Sequence, residues 1–239
     1  GEVVSDGKFT QLTHDLNLLQ SLGVRLVLVH GARPQIERLL DERGIISQYH
    51  HGMRCTDSAT LLCVKQAIGQ VRTDIEALLS MGLANSPMAG ATIRVNSGNF
   101  VTAKPVGVLD GVDLQYTGTV RTIHHQAIQK NLDDDEMVLL SPLGYSPTGE
   151  TFNLTLEAVA QHTAIALQAH KLIFLSDTQG VQNEQLILSE LTAQQAEEWL
   201  ANHPHSEEDM RLYLPCAIQA VRQGVERAHL ISRHLDGGL

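Results

Sequence analysis

The sequence predicts an α/β protein in which a mainly parallel sheet lies between two layers of helices. Apolar, β-branched runs typical of buried strands occur at VRLVLV, MVLLS, KLIFLSD and AHLIS. Amphipathic helical patterns separate these runs. Parallel strands need crossover connections, and such connections place helices on both faces of the sheet. The expected fold class is therefore a three-layer αβα sandwich.

The helices are predicted from apolar residues that recur three and four positions apart. The predicted helices are a first one from Phe9 to Gly23, followed by residues 34–43, 57–81, 155–169, 192–201 and 214–223. Thr56 is the expected N-cap of the third helix. Residues 91–120 instead contain short β-branched segments separated by glycine or asparagine, which predict a sheet or hairpin insert.

Composition limits the classes of protein to consider. The chain has 239 residues and shows neither an internal repeat nor a linker, so one domain over residues 1–239 is preferred. Seventeen basic against 27 acidic side chains leave a formal charge of −10, which disfavours nucleic acid and anionic membranes as partners. No apolar run approaches the length of a membrane span, and no signal peptide is visible. We expect a cytoplasmic protein.

Three segments follow strands and so lie where open α/β sheets bind ligands: His30–Arg33, Ser141–Asn153 and Asp177–Gly180. In the first, a glycine ends the strand and Pro34 opens a helix, an arrangement that suits an anion cradle or an ordinary strand-to-helix connection. Arg54 precedes the long helix. Its guanidinium could hold a carboxylate or could be solvated at the surface.

The spacing of the cysteines and histidines gives little support to metal binding or nucleophilic catalysis. The three cysteines form no CxxC pair, and Cys63 lies on an apolar helix face, typical of a core residue. The pairs His50–His51 and His124–His125 are adjacent, and adjacent side chains on an extended chain point in opposite directions. No metal site is therefore predicted. Residues 133–136 are all acidic and predict a solvated turn before a strand.

Several ordered motifs show that the chain resembles the amino-acid kinase family, in particular its acetylglutamate-handling branch. The HGGGP loop of that branch appears as residues 30–34, its RVTD segment as residues 54–57, and the asparagine of its NxNAD stretch as Asn153. The LTDVxGV strand end is similar to residues 175–181, which contain Asp177. The resemblance covers nearly the whole chain and implies the amino-acid kinase fold.

The departures from the family pattern concern the kinase chemistry. Phosphoryl transfer needs close backbone approach to the phosphate and cations on the transferred group. Ala32 and Arg33 stand where the family has glycines, Glu157 aligns with its catalytic aspartate, and Cys216 after Pro215 aligns with its late lysine. The resemblance thus implies no catalytic residues but a vestigial substrate and phosphate site, formed by Gly31, Ala32, Arg33, Arg54, Asn153, Glu157 and Asp177.

A kinase fold without kinase chemistry resembles the N-terminal domain of the bacterial N-acetylglutamate synthase family, to which SPLGYSPTGETFNL and GVERAHLIS are similar. The resemblance implies binding of L-arginine, a feedback inhibitor of arginine biosynthesis, by Lys171, Ser232, Asp236 and Gly237. It also implies that the protein forms a homo-oligomer and that the full-length protein is an acetyltransferase. Acetyl-CoA is then a co-substrate of a GNAT domain beyond Leu239, and residues 1–239 need no cofactor.

Other interpretations remain open. The chain could be an active acetylglutamate kinase that phosphorylates N-acetyl-L-glutamate with ATP, or a module that serves assembly alone. Lys171 could be a strand-start lysine with its charge in solvent. A first strand with its own glycine turn is also expected before Gly1.

Overall fold

The structure, a computed structural model, describes residues 9–81, 93–183 and 186–235. The helices in these ranges are α1 (Phe9–Ser21), α2 (Arg33–Glu42), α3 (Ser58–Leu79), α4 (His125–Asp133), α5 (Leu156–Ala166), α6 (Ala193–Asn202) and α7 (Glu208–Arg222). The strands are β1 (Val27–Val29), β2 (Tyr49–His50), β3 (Met53–Arg54), β4 (Val95–Asn96), β5 (Val101–Pro105), β6 (Val108–Leu109), β7 (Val112–Asp113), β8 (Gly118–Ile123), β9 (Met137–Leu140), β10 (Leu143–Tyr145), β11 (Thr151–Asn153), β12 (Lys171–Ser176), β13 (Gln182–Asn183), β14 (Leu186–Ile187) and β15 (Arg227–Ser232).

The chain divides into two compact units, an amino-terminal unit of residues Gly1–Val159 and a carboxyl-terminal unit of residues Ala160–Leu239. The expectation of one domain over residues 1–239 stays a prediction. No helix in the described ranges is both long enough and apolar enough to cross a bilayer.

A parallel three-stranded sheet, ordered β1-β9-β4, forms the centre of the amino-terminal unit. All four residues of β9 are buried, as its uninterrupted apolar sequence predicts. The long helix α3 contributes Val64, Val71 and Ile75 to the same core, which also contains Leu40 from α2 and Leu139 from β9. The alternation of strands and helices predicted from sequence is confirmed in this region.

The N-cap predicted for the long helix was wrong by one residue. Asp57, and not Thr56, caps α3: its carboxylate accepts a hydrogen bond from the Thr60 backbone N–H at 2.7 Å. Thr56 is fully buried and its hydroxyl is used in other contacts. Both residue types are good caps, so only the position of the chain decides between them.

The insert predicted between residues 91 and 120 contributes to a second sheet, ordered β11-β10-β5-β8. Strand β8 pairs antiparallel with β5, and β10 pairs parallel with β5. The segment 141–153, expected to be a ligand loop, instead contains the antiparallel pair β10 and β11. Gly144 lies within β10. Only glycine fits at this position, because an added Cβ would lie 2.5 Å from the Ala103 Cβ and 2.9 Å from Leu154 Cδ1.

In the carboxyl-terminal unit, β12 and β15 form a parallel pair over six residues, from Lys171 opposite Arg227 to Ser176 opposite Ser232. Helix α6 begins with a capping box of Thr192 and Gln195. Helix α7 begins at Glu208 and not at residue 214 as predicted, because Met210 and Leu214 extend its buried face toward the N-terminus.

A Gly144→Ala substitution should destabilise the protein by about 1–3 kcal/mol, the typical cost of forcing extra volume into a packed site. The added methyl group would contact the Ala103 Cβ and Leu154 at impossible distances. The measurement is the free energy of unfolding in urea.

Gly69→Ala is the matched control. Gly69 lies inside α3, and nothing lies within 4 Å of an added Cβ. The same methyl group should stabilise the protein here by about 0.5–1 kcal/mol, because alanine favours the helix more than glycine does. Equal effects of the two substitutions would contradict the packing of β10 described above.

Candidate functional site

The first candidate loop, His30–Arg33, connects β1 to α2 at the carboxyl end of the parallel sheet. The backbone N–H of His30 donates to the Leu140 carbonyl at 3.1 Å, and its ring Nε2 lies 2.8 Å from the Ser141 hydroxyl. Burial lowers the pKa of His30 from 6.5 to about 4. His30 is therefore neutral at pH 7, and its ring adds no positive charge to the loop.

Ala32 and Arg33 place side chains at the N-terminus of α2. Ala32 is the N-cap residue and is 1% exposed, with no side-chain hydrogen bond to the helix. Arg33 is exposed, and its guanidinium carbon lies 5.5 Å from the centre of the Tyr49 ring, within cation–π distance. A backbone N–H cradle is easiest to approach where residues lack side chains, so this helix start is less open than a glycine-rich one.

Arg54 lies at the end of β3 and is held by an acidic residue of the chain itself. Its Nη2 donates to Glu37 Oε1 at 2.7 Å, its Nη1 donates to the Ser47 hydroxyl at 2.5 Å, and its guanidinium carbon lies 4.9 Å from the Tyr49 ring centre. Arg54 is 7% exposed, which excludes the solvated alternative considered from sequence. We call Glu37, Ser47, Tyr49 and Arg54 the Arg54 cluster.

Glu37 is the anion of the Arg54 cluster. Burial acts to raise the pKa of this carboxyl, but hydrogen bonds from Arg54, Ser47 and Tyr49 outweigh burial and lower the pKa from 4.5 to about 2. Glu37 is therefore charged throughout the neutral range and neutralises Arg54. A ligand carboxylate at this place would have to displace Glu37.

The predicted residues Arg54 and Asn153 are brought into one buried network through Thr56. The Thr56 hydroxyl donates to the Arg54 carbonyl and accepts hydrogen bonds from the Asn153 amide at 3.0 Å and from the Thr117 hydroxyl at 2.9 Å. The Thr117 hydroxyl is also placed to donate to the Arg54 carbonyl. The sequence marked Thr56 only as an N-cap and as part of the segment 54–57, and nothing in the sequence marked Thr117, so the hydrogen-bonding role of both residues was missed.

Glu157 and Gly31 complete the predicted vestigial set in this unit. Glu157 is half-buried in the first turn of α5, four residues after Asn153, and Gly31 is half-buried between His30 and Ala32. A carboxylate at a helix N-terminus is favoured by the helix dipole, so the position of Glu157 has a structural explanation without any ligand.

Asp177 lies in the carboxyl-terminal unit, directly after β12. Its Oδ1 accepts a hydrogen bond from Arg233 Nε at 2.5 Å and lies 2.8 Å from His234 Nε2. Its backbone N–H donates to the Asp209 carboxylate at 2.7 Å. The hydrogen bond from Arg233 lowers the pKa of Asp177, so its charge is already compensated within the unit.

The four residues proposed for arginine lie in or after the β12–β15 pair. Ser232 is opposite Ser176 at the carboxyl end of the pair, whereas Lys171 is exposed at its amino end. Five residue steps separate the two levels, about 16 Å at the usual rise of a strand. The structure does not place Lys171 next to Ser232. Asp236 and Gly237 lie outside the described residues.

His50, His51 and Asp110 form a cluster that the sequence reasoning rejected. The rings of His50 and His51 have centroids 4.4 Å apart, and His51 Nε2 lies 2.7 Å from Asp110 Oδ2. The expectation of opposed side chains does not apply, because His51 has a positive φ of 48° and ends the extended segment. The signal that could have revealed this turn is the dipeptide His51–Gly52 between two short strands.

A parallel sheet with candidate anion loops at its strand ends, together with a second sheet of mixed direction, defines an α/β protein of a class that includes the amino-acid kinases. The chain belongs to the amino acid kinase family, which it matches over residues 1–232. It is 51% identical over 240 aligned positions to an amino-acid acetyltransferase of Pseudomonas fluorescens and 48% identical to one of Ralstonia nicotianae. These alignments cover all of this chain but 55% and 53% of the relatives, so the chain spans about half their length.

Solved structures confirm the fold. The N-acetylglutamate synthase of Neisseria gonorrhoeae, complexed with coenzyme A and L-arginine, superimposes with a TM-score of 0.88 at 36% identity and covers 99% of this chain and 55% of its own. A carbamate kinase from Giardia lamblia bound to AMP-PNP has a TM-score of 0.70 at 12% identity, covering 96% and 84%. The second likeness concerns the fold alone.

A Glu37→Gln substitution should lower the stability of the protein at pH 7 by about 1–2 kcal/mol, because it leaves the buried Arg54 without its anion. The cost is below that of a fully buried pair, since the Glu37 side chain is 35% exposed. The pKa of Glu37 is lowered by folding, so the ion pair contributes above pH 4.5 and is lost as the pH falls toward about 2. Urea unfolding should therefore show a difference from the wild type that closes over this pH range.

Glu42→Gln provides the control for that series. Glu42 lies on the same helix, is 61% exposed and pairs with Arg38 at 3.9 Å, so its loss should have no measurable effect. A pH-independent difference for Glu37→Gln would show that the ion pair is not its cause.

Proposed function

We propose that this chain is the L-arginine-binding regulatory part of an N-acetylglutamate synthase and that it does not transfer phosphate. The full-length protein would transfer an acetyl group from acetyl-CoA to L-glutamate, the first step of arginine biosynthesis, in a portion outside residues 1–239. The observation that carries the proposal is the Arg54 cluster. In it, Glu37 of the chain itself pairs with the guanidinium that a substrate carboxylate would need to bind. This closure of the site argues against phosphoryl transfer there, whereas the arginine-binding role rests on the similarities to known proteins.

The similarities support the regulatory assignment. A structure 36% identical to this chain is an N-acetylglutamate synthase complexed with coenzyme A and L-arginine, and another of the same enzyme is complexed with coenzyme A and N-acetylglutamate. The curated relatives at about 50% identity are acetyltransferases about twice as long as the matched region. Acetyl-CoA is accordingly proposed as a co-substrate of the full-length protein and not as a ligand of this part.

The alternative of an active acetylglutamate kinase requires cations free to stabilise the transferred phosphoryl group. His30 is neutral, Arg54 is neutralised by Glu37, and position 216 is a cysteine. In the carboxyl-terminal unit, Asp177 is engaged by Arg233 and His234. These charged groups therefore make contacts within the chain, whereas a kinase needs such groups free to bind its substrates.

With ATP, Mg²⁺ and N-acetyl-L-glutamate, the chain should release ADP no faster than a sample without protein. A coupled assay measures the release, and an authentic acetylglutamate kinase run in parallel is the positive control. Turnover that depends on N-acetylglutamate would support the kinase alternative and overturn the assignment.

Lys171, Ser232, Asp236 and Gly237 remain the proposed contacts of L-arginine. Because the strand register separates Lys171 from Ser232 by about 16 Å, one arginine molecule could contact both only by lying lengthwise between them. A lysine attracts the carboxylate of arginine and repels its guanidinium. Lys171 should thus hold the carboxylate, and the segment after β15 should hold the guanidinium.

Lys171→Ala should weaken L-arginine binding by at least about tenfold, the value of one hydrogen bond between charged groups. Agmatine lacks the carboxylate but keeps the ammonium group, so its weaker binding should not be weakened further in the variant. Isothermal titration calorimetry measures both ligands, and Lys65→Ala, an exposed lysine of α3, is the matched control for loss of charge.

Three other results would be informative against the proposal. Equal loss of arginine and agmatine binding would show that Lys171 does not contact the carboxylate. Unchanged arginine binding would remove Lys171 from the site. Absence of any heat or rise in melting temperature with arginine would favour the pure assembly module, since a ligand of the folded state must stabilise it.

We further propose a cytoplasmic homo-oligomer under allosteric control. Arginine regulates the acetyltransferase only if it binds one of two arrangements of the assembly more tightly, because equal binding to both shifts nothing. Support for this comes from the resemblance to the synthase family. Sedimentation of the full-length protein with and without arginine would measure the assembly directly.

A further inference from the structure

Two β-hairpins of the amino-terminal unit bring their tips together. Strands β2 and β3 are joined by His51–Gly52, and β6 and β7 by Asp110–Gly111. All four turn residues have positive φ, of 48°, 77°, 49° and 81°, which is the signature of two-residue type I′ turns. The left-handed backbone at His51 turns its ring toward the side occupied by His50, and Asp110 reaches both rings from the second tip.

The three side chains have the separations of a metal site. Their ligand atoms lie within 4.8 Å of one another, with Asp110 Oδ2 at 2.7 Å from His51 Nε2 and at 3.9 Å from His50 Nε2. Bonds of about 2.0–2.1 Å to a tetrahedral ion place ligand atoms about 3.3 Å apart. Small rotations of the side chains would therefore bring all three atoms onto one ion.

His50 supplies an independent reason to expect a ligand. Its Nε2 is shielded from solvent and has no hydrogen-bond partner within residues 9–81, 93–183 and 186–235, although it faces Asp110 at 3.9 Å. A buried polar atom without a partner is unfavourable, and native structures satisfy nearly all of them. The distance is too long for a hydrogen bond but suits two ligands that share an ion.

We propose that His50, His51 and Asp110 bind a divalent transition-metal ion of the Zn²⁺ type. Two imidazoles and one carboxylate are the donor set of such ions, whereas Mg²⁺ and Ca²⁺ prefer oxygen ligands alone. His51 and Asp110 are well exposed, so water completes the coordination. The bound ion fastens the β2–β3 hairpin to the β6–β7 hairpin.

This connection would act on the Arg54 cluster. The β2–β3 hairpin also carries Tyr49 and Arg54, which contact Glu37 on α2. An ion at the tip restrains the hairpin from the end opposite to these contacts. The site is thus a structural clamp on the segment that covers the start of α2, and no reaction is assigned to it.

The test is titration of the 239-residue chain, stripped with chelator, with Zn²⁺ alone. Calorimetry should show one ion per chain, and Co²⁺ in its place should give the visible ligand-field absorption of a nitrogen and oxygen site. His51→Asn and Asp110→Asn should each weaken Zn²⁺ binding by more than about 100-fold, because a direct ligand is worth more than an outer-shell partner, whose loss costs about 10–100-fold. Asparagine tolerates positive φ, so both turns are kept.

His125→Gln is the matched control, since it removes an exposed histidine of the other adjacent pair and should leave Zn²⁺ binding unchanged. Zn²⁺ should also raise the melting temperature of the wild type and of His125→Gln, but not of the two turn variants. Absence of Zn²⁺ binding by the wild type would overturn the proposal. Equal binding by all four proteins would do the same, because the ion would then be held elsewhere.

Discussion

The buried guanidinium of Arg54 is the constraint on which the arrangement of the amino-terminal unit depends. A charge that is 7% exposed must be paired, and Glu37 of α2 supplies the partner while Ser47 and Tyr49 complete the cluster. The backbone carbonyl of Arg54 meets the hydroxyls of Thr56 and Thr117. Arg54 therefore connects helix α2, the β2–β3 hairpin and, through Thr56, the second sheet.

The same solution recurs in the carboxyl-terminal unit with the charges reversed. Asp177 follows β12, and Arg233, which follows β15, compensates its charge, while His234 Nε2 lies 2.8 Å from the same carboxylate oxygen. In both units a charged group at a strand end is neutralised by the chain itself. In a chain of the amino-acid kinase fold, these charged groups thus contribute to stability, and the fold alone does not fix a function.

Particular elements show how far sequence patterns reach. Helix α3 and strand β9 were predicted because their apolar periodicity and uninterrupted apolar run depend on local sequence alone. The segment 141–153, which contains Gly144 and Gly149, is predicted as a ligand loop because it follows a strand, yet Gly144 is a strand residue packed against Ala103. A glycine can mark either a turn or a close contact. The residue that shows Gly144 to be a close contact is Ala103, which lies about forty residues away in the sequence.

The candidate site, too, could be predicted from the sequence only in part. The sequence by itself determined the alternation of strands and helices and the loops at the strand ends, because both depend on neighbouring residues, and its resemblance to the family pattern identified Ala32 and Arg33 as replacements of glycines. Only the tertiary structure decided that Glu37 neutralises Arg54, that Thr56 and Thr117 join Asn153, and that two hairpin tips bring His50 and His51 to Asp110. Those pairs are far apart in sequence, and no local pattern encodes the distance between them.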